Sequence, residues 1–178
     1  MKREKISIEV EQQIAIGMVV STEFLGQVSP LLGVELIQAK HLQQIAKWSL
    51  DYFKKYQSAP KENIESLYHS WTAEGKADEE IISAVHDVLE SLSDQYLKEP
   101  TINVPYLLDL AASHFSKRKL EVLKDALEYH LEAGNKDAAE AAVAAHHPIS
   151  ATMDADIDPL NDFSAWDAAY AESQKSLI

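Results

Sequence analysis

Apolar residues recur at three- and four-residue spacings along most of the chain, and no period-two alternation runs long enough to make a strand. Residues 8–21 read as a first helix, with Ile8, Ile14, Met18 and Val19 leaning to one side. Residues 23–32 form a short helical piece or turn, broken near Ser29 and Pro30. From about 39 to 57 the spacing is clean: Leu42, Ile45, Ala46, Trp48, Tyr52, Phe53 and Tyr56 share a face. Pro60 ends that stretch and, with its fixed φ, is expected to open the next helix in its first turn. That helix carries Ile64, Leu67, Tyr68 and Trp71 and stops at Gly75. Asp78 is a suitable N-cap, with Glu79 and Glu80 at the positive end of the helix dipole. Ile81, Val85, Val88, Leu89, Leu92 and Tyr96 come next on one face, before a break at Glu99-Pro100.

Asn103 then caps a helix of about thirty residues, with Pro105 tolerated in its first turn. Its first half has one stripe, Val104, Leu107, Leu108, Ala111 and Phe115. Its second half has two. Leu120, Leu123, Leu127 and Leu131 form one; Val122, Ala126 and Tyr129 form the other, about a third of a turn away. Gly134 ends the helix and Asn135 caps an alanine-rich successor that includes Ala138 and Ala142. Small side chains let two helices approach closely. The expected fold is therefore all-α: a helical head over residues 1–100 and a protruding helical hairpin over 103–147. Together they make one helical domain, 1–147, followed by a linker with a short helix, 148–178. The Val122 side continues the stripe of the first half, so it is assigned to the domain itself and the alanine arm. The four leucines, with Ala138 and Ala142, are left as a protein interface.

Composition narrows the function. Of 178 residues, 46% are hydrophobic, enough for a core, and the net charge is −13. So acidic a chain is poorly suited to phosphate neutralisation, which disfavours direct nucleic-acid binding and suits partner proteins. No apolar run is long enough to span a membrane, and the N-terminus lacks an apolar signal segment. Cysteine is absent, which removes disulfides and thiolate metal sites and agrees with a cytoplasmic setting.

Candidate chemistry is sparse. Asp154, Asp156 and Asp158 begin like a calcium loop, but Pro159 and Ala165 stand where glycine and glutamate are needed. Gly75-Lys76 lacks the upstream glycine and the subsequent Ser or Thr of a phosphate loop. His146-His147 has no metal-binding spacing around it. Lys117, Arg118 and Lys119 are consecutive and point around the helix, so they read as a solvated face. No catalytic residue, cofactor site or metal site emerges.

The run IEVEQQIAIGMVVSTEFLGQV, residues 8–28, resembles the opening of replicative DNA helicases of the DnaB type. Those begin with an Ile-Glu-x-Glu-Gln run, then glycine, an apolar pair and a polar stretch; here Ile8, Glu9, Glu11, Gln12, Gly17, Met18 and Val19 stand in those places. Trp48, Tyr52, Tyr56 and Pro60 are similar to the phage and prophage branch. The hairpin sits where that family has its N-terminal hairpin. Asp156 to Asp162 and the closing Lys175-Ser176-Leu177-Ile178 resemble the linker leading to the ATPase domain. The likeness covers nearly the whole chain, but the RecA-like ATPase domain itself has no counterpart in it.

The resemblance implies a non-catalytic oligomerisation and docking collar. It would pair with itself through the hairpin as a dimer or ring-forming oligomer, and receive a primase or helicase loader. The chain would be a piece of such a helicase or a free-standing relative. Two other classes remain: a free-standing helical adaptor or helicase loader or inhibitor, and a helical-repeat module. The latter needs several units with a period near 34, and only one such turn is visible. Without a phosphate loop, ATP and magnesium should leave the melting temperature of the purified chain unchanged; a saturable rise contradicts this.

Overall fold

The computed structural model describes residues 2–75, 78–96 and 102–149, and among them every regular element is helical. The chain order is α1 (Lys2–Val20), α2 (Thr22–Val28), a single 3-10 turn (Val34–Leu36), α3 (Lys40–Tyr56), α4 (Asn63–Ala73), α5 (Glu79–Tyr96), α6 (Val104–Glu132) and α7 (Lys136–Ala144). None of these helices is long and apolar enough to cross a membrane.

Helix α1 lies at the centre of the head, against α2, α3 and α6. Its Ile14, Ala15, Met18 and Val19 are fully buried, because partners close around it from three sides. Phe24, Leu25 and Val28 of α2, Leu42, Ile45 and Ala46 of α3, and Phe115 of α6 complete the core. Gly17 marks the crossing of α1 and α6. A methyl group there would overlap the Leu107 side chain and crowd the Phe24 ring, so the close approach depends on glycine. Helices α4 and α5 add a second wall on α3, where Trp48 and Trp71 meet edge to face at 5.3 Å.

One charged group is buried in this apolar setting. Glu11 is fully inaccessible, one turn ahead of Ile14 and Ala15 on the same stripe. The backbone N–H groups of Gln38 and Ala39 donate to its two carboxylate oxygens at 2.9 and 3.1 Å. His114 of α6 lies 3.2 Å from the same oxygen as Gln38. An ionised carboxylate only accepts, so that contact places the imidazole proton on Nε2. Burial pushes the Glu11 carboxyl up, but His114 and the two backbone donors outweigh it and hold the group below its ordinary 4.5. Ala39, the N-cap of α3, has no side chain to cap with. Glu11 supplies from another helix what the acid of a capping box supplies from its own. Arg118 of α6 donates to the Leu36 carbonyl at 3.4 Å, so α6 holds both ends of the 36–39 turn.

The expected caps are in place. Asn103 accepts from the Tyr106 N–H at 3.1 Å and Asp78 from the Glu80 N–H at 2.9 Å. Several local expectations change. Ile8 is 44% exposed, off the core stripe, and Tyr56, expected on the face of α3 that carries Leu42 and Ile45, is 53% exposed. Pro60 does not open α4: Lys61 takes a left-handed φ of 50°, so the helix starts at Asn63. Pro60 lies instead on a segment tied to α1 and α2, with the Lys61 N–H on the Val19 carbonyl at 2.8 Å and the Ala59 N–H on Thr22 Oγ1 at 3.0 Å. The 3-10 turn leaves no mark in the hydrophobic pattern; three residues are too few to show a period. The break at Glu99-Pro100, Lys76, the aspartates 154, 156 and 158, and the linker with its short helix lie outside the described residues.

Glu11→Ala removes the acceptor of two backbone donors, each worth roughly 1–3 kcal/mol when left unmade. We expect the urea-unfolding free energy to drop by about 3 kcal/mol. The pH dependence has a definite sign. A carboxyl held below 4.5 contributes fully above that pH and loses its contribution as pH falls through its folded value. His41 is lowered from 6.5, burial outweighing the attraction of Glu11, so it adds a loss in the same direction below 6.5. Glu11→Gln should therefore lose stability less steeply than the parent below pH 4.5; equal slopes contradict the clamp.

Candidate functional site

Helix α6 runs for 29 residues, roughly 43 Å. Its buried positions are Val104, Leu107, Ala111, Ala112 and Phe115, and none lies beyond Phe115. The second half runs along the edge of the head, where Arg118 reaches the Leu36 carbonyl. There its company is α7, returned by a tight turn. The Gly134 N–H donates to the Leu131 carbonyl at 3.0 Å and the Asn135 N–H to the His130 carbonyl at 2.8 Å. With Gly134 at φ 69°, this is a Schellman ending. The Asn135 side chain then accepts the Ala138 N–H at 3.1 Å and starts α7. Ala139 is buried against α6, Ala138 is half-buried, and Ala142 stands on the rim of a groove described below.

The four-leucine stripe is divided by this packing. Leu120 and Leu131 are 56% and 61% exposed, whereas Leu123 and Leu127 are half-buried. The assignment of the Val122 side to the domain and the alanine arm changes for two of its three residues: Val122 is 47% and Tyr129 70% exposed, whereas Ala126 is half-buried. The reason is geometric. That side continues the core stripe, but there the nearest part of the head, Leu31, Leu32 and Leu36, stands across an open groove from Val122 and Ala126. Val143 of α7, 54% exposed, carries no signal in the sequence pattern. At about 100° per residue it faces away from Ala142 and Ala145, toward the flank of Leu120, Leu127 and Leu131. The hairpin thus has two apolar flanks, an outer one with Leu120, Leu131 and Val143, and an inner one with Val122 and Ala126.

The inner flank borders a groove of about 470 Å³. One side is Leu31, Leu32 and Leu36 from the segment joining α2 to α3; the other is Val122, Leu123, Ala126 and Ala142. Lys119, Glu35, His146 and His147 also line it. Sequence reading misses this groove because three separated segments build it. The basic cluster disperses. Lys117 and Arg118 pair with Glu121 and hold its carboxyl below the ordinary range. The Lys119 ammonium reaches the His147 carbonyl at 3.4 Å. Arg118 is half-buried rather than solvated.

Two further clefts hold titratable groups without a reactive arrangement. Between α4 and α5 the His86 ring stacks on Tyr68 at 6.1 Å, near His69, Glu65 and Glu90. Beside Trp71 lie Lys40 and Lys47 of α3. Among the described residues no three metal-ligating side chains come together. What this surface can do chemically is bury apolar area against another chain or segment. Comparison of the chain with protein-family models, with curated proteins and with solved structures gives no match.

The turn is the weak point of the hairpin. Asn135→Ala should cost about 1 kcal/mol by loss of the cap. Amide exchange in α7 should then speed up while α3 is unchanged; uniform acceleration across both helices contradicts a local role.

Proposed function

We propose that this chain is a non-catalytic oligomerisation and docking domain of a replicative DNA helicase, pairing through its hairpin and presenting the collar to a primase or helicase loader. The observation that carries the reading is the outer flank. Leu120, Leu131 and Val143 are each more than half exposed on a hairpin that has left its own core. Resemblance adds a second support. Glu11 and Gly17, two of the residues in the helicase-like run, are those that seat α6 on the head. A family that needs a rigidly presented hairpin would need those positions.

The energetics suit a pair that is weak in isolation. Covering the exposed half of three aliphatic side chains is worth roughly 1–1.5 kcal/mol each. Two-fold symmetry doubles the sum, to about 6–9 kcal/mol. Association costs about 4–15 kcal/mol. At most about 5 kcal/mol is left, so a dissociation constant of roughly 0.2 mM or weaker is expected for the isolated chain, tightened where a motor ring holds the copies together.

Light scattering should find association setting in at about 0.5–1 mM and a monomer for Leu120→Glu/Leu131→Glu, with unchanged circular dichroism. These leucines are exposed, so the charges meet water in the monomer and a desolvated seam in the pair. Leu123→Glu, placed half inside the hairpin, should instead lower the melting temperature. A parent that stays monomeric at millimolar concentration ends the pairing proposal. On the helicase reading, the coding sequence downstream of Ile178 should continue into an ATPase domain with a phosphate loop. A stop codon there, with a dimer still formed, favours a free-standing adaptor.

A further inference from the structure

We infer that the groove on the inner flank is the docking site for the chain's own residues 163–170, held there in cis. The inference does not rest on the helicase reading, because the groove and the pairing flank lie on different sides of the hairpin.

The groove suits an apolar visitor that can place an acid beside Lys119. Leu31, Leu36, Val122, Leu123, Ala126 and Ala142 give it apolar walls. Lys119, His146 and His147 stand along it, opposed by Glu35. Among the described residues Lys119 has no carboxylate partner; its ammonium meets the carbonyl of His147. A volume of 470 Å³ lies within the range of about 300–1,000 Å³ typical of sites that engulf apolar groups.

Residues 163–170, FSAWDAAY, match that requirement. Phe163, Trp166 and Tyr170 fall at i, i+3 and i+7, the spacing of one helical face. Asp162 and Asp167 flank them and can meet Lys119. Each aromatic side chain can bury about 150–250 Å². This is the helix-in-groove mode of recognition.

The path of the chain makes the occupant local. Ile149, the last described residue, packs against the core, and His146 and His147 just before it line the groove. The chain from residue 150 onward therefore departs from the groove's own edge. Thirteen residues, 150–162, lead to Phe163. Such a linker can span at most about 45 Å. Tethering at this length supplies an effective concentration on the order of millimolar.

The chain has no cysteine, so engineered pairs report without background. In the full chain, Ala145→Cys/Ala169→Cys places one thiol at the groove and one on the segment. Val143→Cys/Ala169→Cys places the first thiol on the outer flank instead. Under mild oxidation at low micromolar concentration, the groove pair should form an intramolecular disulfide at least ten-fold faster than the outer-flank pair. Adding Trp166→Asp, a change outside the folded head, should bring the groove pair down to the outer-flank rate with unchanged circular dichroism. Equal rates for the two pairs, no disulfide at the groove, or disulfides only between chains would each overturn docking in cis.

Discussion

A single buried carboxylate organises the head. Glu11 sits on the core stripe of α1, where an apolar side chain would ordinarily stand, and it is tolerated because its oxygens are met by two backbone donors and an imidazole. The three partners come from two different parts of the fold. Gln38 and Ala39 lead into α3; His114 belongs to α6. The same group therefore sets where α3 starts and where α6 rests. Apolar contacts alone allow helices to slide by a fraction of a turn. A buried acceptor whose donors have fixed directions does not, since any slip leaves a donor unmet. Gly17 works alongside it by letting α6 approach α1 closely.

The consequence is felt beyond the head. Because α6 is one continuous helix packed on the head up to Phe115, its second half continues from the head on the same line and carries the hairpin. Its apolar content then exceeds what one short alanine-rich arm can cover. Ala138, Ala139 and Ala142 allow close approach but bring little area. Leucines and a valine are left on one side, and a groove remains on the other. Surplus apolar surface on a rigid projection is a feature of chains that associate, and here it is divided between two flanks with different neighbours and different charge.

Much of this was legible in the sequence, for identifiable reasons. The helices showed themselves because apolar residues recur with the helical period and because Asn103, Gly134 and Asn135 are strong end signals. The hairpin came from those same residues. Three things were hidden. The Glu11 clamp depends on residues 27 and 103 positions apart; its trace was a glutamate in register with Ile14 and Met18, which reads as an interruption unless a partner is known. The division of the leucine stripe depended on which side of α6 the returning α7 covers, and a periodicity cannot say that. The groove is made by three segments remote in sequence, so no local pattern announces it.

In the proposed pair, the outer flank of the hairpin faces its counterpart in a second copy. A nitroxide at Lys124→Cys, midway along the projecting half of α6 and on the solvent-exposed surface next to Leu120 and Leu131, tests it in an otherwise cysteine-free chain. Pulsed dipolar spectroscopy on the associated protein should give one narrow inter-chain distance within about two helix diameters, roughly 20–25 Å. A label at Tyr56→Cys on the head should give a longer one. A short distance from Tyr56→Cys with none from Lys124→Cys, in protein that does associate, would contradict pairing through the hairpin.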